Sequence, residues 1–303
     1  MPWRKAIFIQ CILLLAAASI VGTGCSPDKN TGSETAGTTR AQKGSSFDGA
    51  TTTVSADGAP AATGSQLDAP SPPSPGDQPT AARAGGAYAL IYNGPVAATG
   101  STAALAAIAG QAVLPVKYVT NIQDLPALLP DARVFIIGGT DDDLSPLIAA
   151  FTPQVTAALK NYLQNGGRYL GICGGGYMAS TGWEEYGQSF TSLGIIPARS
   201  GSFMGGQADP RILPVSWLGQ TRQMYYQDGP VFYLRPTAEH TRIIAYYADG
   251  SVDAFVSSYG RGEAAVSGTH PEAEPSWIPG AANEGAWTSS TPLAVNLIKE
   301  LLD

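Results

Sequence analysis

The chain has 303 residues, with 17 Lys and Arg against 24 Asp and Glu, for a net charge of -7. No Lys or Arg cluster of the kind that phosphate contacts need is present, which argues against nucleic-acid binding, and acidity of this size speaks for solubility without naming a partner. The length suits one large domain or two small ones.

Residues 1–24 read as an export signal: Arg4 and Lys5, an apolar run over 6–21, then small residues up to Cys25. The run contains Gln10 and falls short of the ~20 apolar residues that a bilayer-spanning helix requires. The order Val21-Gly22-Thr23-Gly24-Cys25-Ser26 resembles a bacterial lipobox, with Gly22 where Leu is usual. That resemblance implies cleavage before Cys25, lipid on its sulfur, and an exported, lipid-anchored place in the bacterial cell envelope (outer membrane or periplasm-facing). Residues 25–86 then form a linker of Ser, Thr, Ala, Gly, Pro and Asp whose only aromatic is Phe47. Such a composition buries too little apolar surface to offset chain entropy, so a disordered tether reaching ~45 Å is expected. With Cys11 leaving in the signal and Cys25 lipidated, Cys173 is the one thiol of the expected folded domain, 87–303.

In that domain three apolar runs, 87–92, 134–137 and 169–172, read as strands buried on both faces. Between the second and third, 152–165 reads as a helix: Thr152 caps it, Pro153 opens it, Val155, Leu159, Tyr162 and Leu163 share a face, and Gly166-Gly167 stops it. Alternating strand and helix predicts parallel pairing through right-handed crossovers. Past residue 187 shorter β-like runs follow at 211–217, 223–234, 242–247, 253–259 and 263–267, and a final helix is expected over 291–302. The fold class is α/β, a three-layer, mostly parallel sheet with added β-strands.

In open parallel sheets ligands bind beyond the carboxyl ends of the strands. Those ends carry Asn93-Gly94, Gly138-Gly139 and Cys173-Gly174. The segment Gly171-Ile172-Cys173-Gly174-Gly175-Gly176 has the form of a nucleophile elbow, in which glycines tolerate the tight turn and the N–H groups opening the next helix favour an anion. Equally, Cys173 could be a small core hydrophobe. A cysteine nucleophile needs a base, and the chain has two histidines. His240 precedes a strand and reads as exposed, whereas His270 follows one, with Pro271 limiting the turn and Glu272 near enough to orient the ring. The Asp141–Asp143 run reads as a solvated helix start, and Glu184-Glu185 as a solvated turn.

Residues 171–175 resemble the cysteine elbow of class I glutamine amidotransferases, and Thr269-His270-Pro271-Glu272 resembles their closing motif, in the same order. Leu90-Ile91-Tyr92-Asn93-Gly94-Pro95, Phe135-Ile136-Ile137-Gly138-Gly139, Tyr225-Tyr226 and residues 267–272 extend the similarity to the biotin-protein-ligase N-terminal-like family over about 86–275. The resemblance implies a flavodoxin-like class I glutamine-amidotransferase-like fold, with Cys173 as nucleophile, His270 as general base and acid, and Glu272 as orienting carboxylate. It offers the backbone N–H groups of Gly139 and Gly174 for an oxyanion, and Asn93, Tyr177 and Tyr226 as substrate-binding candidates. Tyr177 stands where glutamine amidotransferases have Gln, four residues past the nucleophile, which turns the expectation away from glutamine itself. The function implied is a cysteine-triad amidohydrolase or amidotransferase-like enzyme acting on a small amide or peptide in the envelope, with no cofactor or metal. Two alternatives stand beside it: a non-catalytic ligand- or partner-binding module of the same fold, and a DJ-1/PfpI-like protein responsive to carbonyls or oxidation through Cys173.

Overall fold

Residues 87–303, apart from Tyr186, Thr237 and Glu239, are described by a computed structural model. The expected signal segment and linker, with Cys25, lie outside these residues. In chain order the elements are β1 (Tyr88–Tyr92), α1 (Thr99–Gln111), β2 (Val116–Val119), α2 (Leu125–Leu128), β3 (Ala132–Ile137), α3 (Ser145–Ala150), α4 (Pro153–Gln164), β4 (Arg168–Ile172) and α5 (Gly174–Ala179). There follow β5 (Gly182–Glu185), β6 (Gln188–Thr191), β7 (Ala198–Ser202), β8 (Arg211–Trp217), β9 (Gln220–Tyr226), β10 (Pro230–Leu234), β11 (Thr241–Tyr247), β12 (Val252–Tyr259), β13 (Gly262–Ser267) and α6 (Thr291–Leu302).

The main sheet runs β2-β1-β3-β4-β13-β12-β11-β8-β9. Its first five strands are parallel, and from β13 onward every pairing is antiparallel, with β10 and β7 branching from β12. The parallel strands are apolar at nearly every position because both faces are covered. Leu90, Phe135, Ile137 and Tyr169 face one layer with α2 and α4, and Ala89, Ile91, Val134, Ile136 and Leu170 face the other with α1 and α6. This is the α/β three-layer class that the sequence implied, with β13 as the parallel strand contributed from the far end of the chain.

Helix α4 forms as its residues dictate. Thr152 Oγ1 accepts the Val155 N–H, Pro153 occupies the first turn, and Gly166 leaves the helix at φ +99°. Leu159 and Leu163 are fully buried, each contributing about 1.5–3 kcal/mol of burial free energy. One run was read too long: 223–234 is two strands, because Asp228 at φ +48° and Gly229 turn the chain between β9 and β10. That turn lies over the elbow.

Candidate functional site

The site collects at the carboxyl edge of the parallel strands. β4 delivers Cys173, the neighbouring β13 delivers the turn with His270 and Glu272, and β3 on the other side delivers Gly138-Gly139. Cys173 has φ +52° and ψ -110°, a conformation costing on the order of 1–3 kcal/mol for a residue with a Cβ. Hydrogen bonds hold it there: the Cys173 N–H donates to Ser267 O at 2.9 Å, and its carbonyl accepts from Gly176 and Tyr177 at 2.8 and 3.1 Å. The glycines are needed for close approach. A Cβ on Gly174 would run into the Thr140 hydroxyl and one on Gly175 into the Ile137 carbonyl. The helix they open, α5, has only six residues, so its dipole is small and any activation of the thiol falls chiefly to the neighbouring imidazole.

His270 is buried and meets three partners. Its Nδ1 lies 2.9 Å from Glu272 Oε1, its ring is electrostatically coupled to the Cys173 sulfur, whose own S–H donates to Gln227 O at 3.6 Å, and its backbone N–H donates to Tyr225 O at 2.9 Å. With Nδ1 on the carboxylate, Nε2 is the nitrogen left for the sulfur. Burial alone works to lower the imidazole's proton affinity, but the Glu272 and Cys173 charges and their hydrogen bonds outweigh it and raise the pKa to about 10. Edge-on contacts from Tyr225 at 5.6 Å and Trp277 at 5.8 Å between ring centroids shield the ring from water.

The turn that carries His270 is itself fastened by a buried acid. Asp253 takes the Thr269 N–H and hydroxyl, each at 2.8 Å, and the Ser267 hydroxyl donates to Thr269 O. Burial pushes the Asp253 pKa up to about 6, with the Thr269, Tyr247 and Gly268 hydrogen bonds opposing that rise.

Several expectations are met differently. The Gly139 N–H is not directed at the elbow: it donates to Ser101 Oγ at 2.8 Å, while its carbonyl accepts from Ala98, so the peptide is pinned to the first turn of α1. Tyr226 is fully buried, its hydroxyl accepting from Met204 N and donating to Gly229 O at 3.2 Å each, so it builds the wall and does not face a ligand. Tyr225, its neighbour, is the one that touches His270. Asn93 follows β1, with β3 between it and the elbow, and its N–H is taken by Val119 O. Tyr177 packs against Trp183 and sets its hydroxyl 3.4 Å from Asp228 O. Gly174, directly after Cys173, is the buried first residue of α5.

His240 is exposed at the entrance to β11, and Asp143 accepts the Ser145 N–H at the start of α3, as the residues themselves suggested. Glu185 departs from the solvated turn expected of it, accepting from the Trp183 indole at 3.2 Å within β5. Among the described residues no group of His, Cys, Asp and Glu is placed to hold a metal. Ser101, Gln227, Trp277 and Asp253 were not singled out by sequence. Asp253 alone had a signal, an acid at the head of an apolar strand run. A cavity of about 480 Å³ lies behind Glu272, between α1 and the 274–276 turn, and neither Cys173 nor His270 lines it.

Residues 88–214 match the family model described as Biotin-protein ligase, N terminal. The folded domain is similar to that family over these residues. The match takes in the elbow with Cys173 and stops short of His270 and Glu272, whose place in the site rests on geometry. Imidazole glycerol phosphate synthase subunit HisH from Syntrophotalea carbinolica is 28% identical over 159 residues, 48% of this chain and 73% of that protein. Among solved structures, PurLQS from Thermotoga maritima is similar over 70% of this chain and 98% of that chain, with 12% identity and a TM-score of 0.50. A glutamine amidotransferase from Thermotoga maritima is similar over 71% and 96%, with 12% identity and a TM-score of 0.49. The domain thus shares the PurLQS fold at a distance where likeness speaks for fold alone.

Proposed function

We propose that this domain is a cysteine-dependent amidohydrolase or amidotransferase-like enzyme for a small amide or peptide, exported and held at the cell envelope through lipid on Cys25. The observation that carries the chemistry is the placement of Cys173 beside the buried His270–Glu272 pair at the ends of adjacent parallel strands, with the Cys173 and Glu272 charges both acting on the imidazole. In the proposed cycle the Cys173 thiolate forms a C–S bond to the substrate carbonyl carbon, and the electron pair moves to the carbonyl oxygen beside the Gly174 N–H. As that pair returns, the C–N bond breaks and His270 gives its Nε2 proton to the leaving amine. Water then attacks the thioester carbonyl, the now neutral imidazole takes its proton, and the C–S bond breaks to release the acid and restore the Cys173 thiolate beside the protonated His270. Glu272 keeps the ring oriented and stabilises its charged form throughout.

Free glutamine fits this site poorly. Tyr177 fills the position four residues beyond the nucleophile, and the nearby carboxyls of Asp228, Glu185, Asp142 and Asp143 create a negative field that opposes a substrate carboxylate. Burial raises Asp228 and Glu185, hydrogen bonds from Ser202 and Trp183 partly offset this, and the neighbouring charges raise both further. The proposed substrate is therefore an amide that is neutral or cationic next to its scissile bond. The test is labelling of the protein with a panel of electrophilic amides and esters of different charge, followed by mapping of the modified residue. Acylation at Cys173, faster for neutral and cationic probes and lost in His270→Ala, is expected. A Cys173 that no probe acylates, or that acylates equally without His270, would overturn the proposal.

A further inference from the structure

Ser101 is buried in the first turn of α1 and makes two bonds of 2.8 Å, donating to Glu272 Oε1 and accepting the Gly139 N–H. An amide N–H can only donate, so the hydroxyl's single proton goes to the carboxylate and both directions are fixed. Glu272 Oε1 thus receives two donors, Ser101 Oγ and His270 Nδ1, while its Oε2 has no partner among the described residues. A buried carboxylate depends on its donors to offset lost hydration. One of the two comes from a helix that carries no other part of the triad.

We propose that Ser101 is a positioning residue for the triad, holding the charged Glu272 carboxylate against His270 while locking the Gly139 peptide beside the elbow. The inference rests on the cysteine chemistry proposed above. Without the hydroxyl, Glu272 keeps His270 as its remaining partner, holds its charge less firmly and is free to turn about its last torsion. The Gly139 N–H is left buried without its acceptor. The imidazolium is then supported less well, and with it the Cys173 thiolate.

The experiment follows the alkylation rate of Cys173 against pH in the full chain, read by mass on the Cys173 peptide, together with the melting temperature. Glu272→Gln is expected to move the midpoint of the profile upward. Ser101→Ala is expected to move it the same way by less, with reactivity at neutral pH lower by about tenfold, the effect of losing one hydrogen bond to a charged group. Ser101→Thr, which keeps the hydroxyl, is expected to restore most of the reactivity. If Ser101→Ala does not fold, Ser101→Cys, similar in size and a weaker donor, carries the same comparison. A Ser101→Ala profile that superimposes on wild type while Glu272→Gln shifts would overturn the positioning role and leave the triad standing. Indifference of the profile to Glu272→Gln and His270→Ala alike would overturn both.

Discussion

At the level of single residues the site is a set of buried charges kept in place by donors, and each has a pH signature. His270, raised to about 10, contributes stability present below its ordinary 6.5 and lost as pH climbs through 10. Its proton is also what the leaving amine needs. Acylation of Cys173 by an amide is therefore expected to fall above about pH 10, whereas an ester with a good leaving group keeps its rate; parallel pH profiles of the two probes make the comparison. Asp253 is also raised, from 3.8 to about 6, so its contribution is fully present below 3.8 and is lost as pH rises through 6. The loss is about 3 kcal/mol at 1.36 kcal/mol per unit. Asp253→Asn removes that loss and keeps an acceptor for the Thr269 N–H. Relative to wild type, the variant is expected to be more stable at pH 8 than at pH 5, and denaturant melts at the two pH values would show a constant difference if Asp253 were not buried as a charge. Cys173, His270 and Glu272, which the fold brings together, were legible in the sequence because Cys173 directly follows one apolar run and His270 lies three residues past the end of another. Ser101 was not, since a serine among alanines has nothing to mark it until the fold brings Glu272, 171 positions away in sequence, to its hydroxyl.

Among the elements, those with a periodic stripe or an unbroken apolar run were read nearly to the residue: α4, α6, β4 and β8 show it. Helix α1 was missed for a physical reason. Its sequence, TGSTAALAAIAGQ, is small and apolar all round, and the face it buries includes Ser101 and Thr102, so no stripe separates core from solvent. The short strands β5, β6 and β7 escaped too, since their pairing with each other and with β10 is decided by tertiary contact. The same view separates two glycines that look alike in sequence. Gly110 is exposed near the end of α1 and a Cβ there would meet nothing within 4 Å, so Gly110→Ala is expected to stabilise by roughly 0.5–1 kcal/mol. Gly175 lies against the Ile137 carbonyl, and Gly175→Ala must push β3 and α5 apart. A loss of about 1–3 kcal/mol, with Cys173 reactivity falling as the elbow is displaced, is expected from melts and alkylation rates measured side by side. Equal and small effects of both substitutions would contradict the packing of the elbow onto β3.

For the molecule as a whole, the proposal joins a folded unit from about residue 87 to an anchor at Cys25 through a segment poor in apolar residues. Covalent lipid contributes ~0.8 kcal/mol per buried CH₂; a single acyl chain binds only marginally, so a stable anchor at Cys25 calls for at least two. The apolar run 6–21 competes for the same outcome, because an uncleaved segment would also carry the protein into the membrane fraction. Fractionation alone therefore does not separate the two, and the cysteine does. If Cys25 is the anchor, membrane-bound protein begins at that residue, its N-terminal peptide carries the mass of the lipid, and Cys25→Ala abolishes that modification together with cleavage before it. Limited proteolysis of the membrane-bound form is then expected to release a soluble fragment starting near Ala87 whose Cys173 alkylates at the undigested rate. Among the described residues, the contacts of the triad, its Ser101 support and the Asp253 fastening are all made within 87–303. An intact Met1–Gly24 segment on the membrane-bound protein would refute the lipid anchor, and a fragment that loses the Cys173 rate on release would place part of the working site before residue 87.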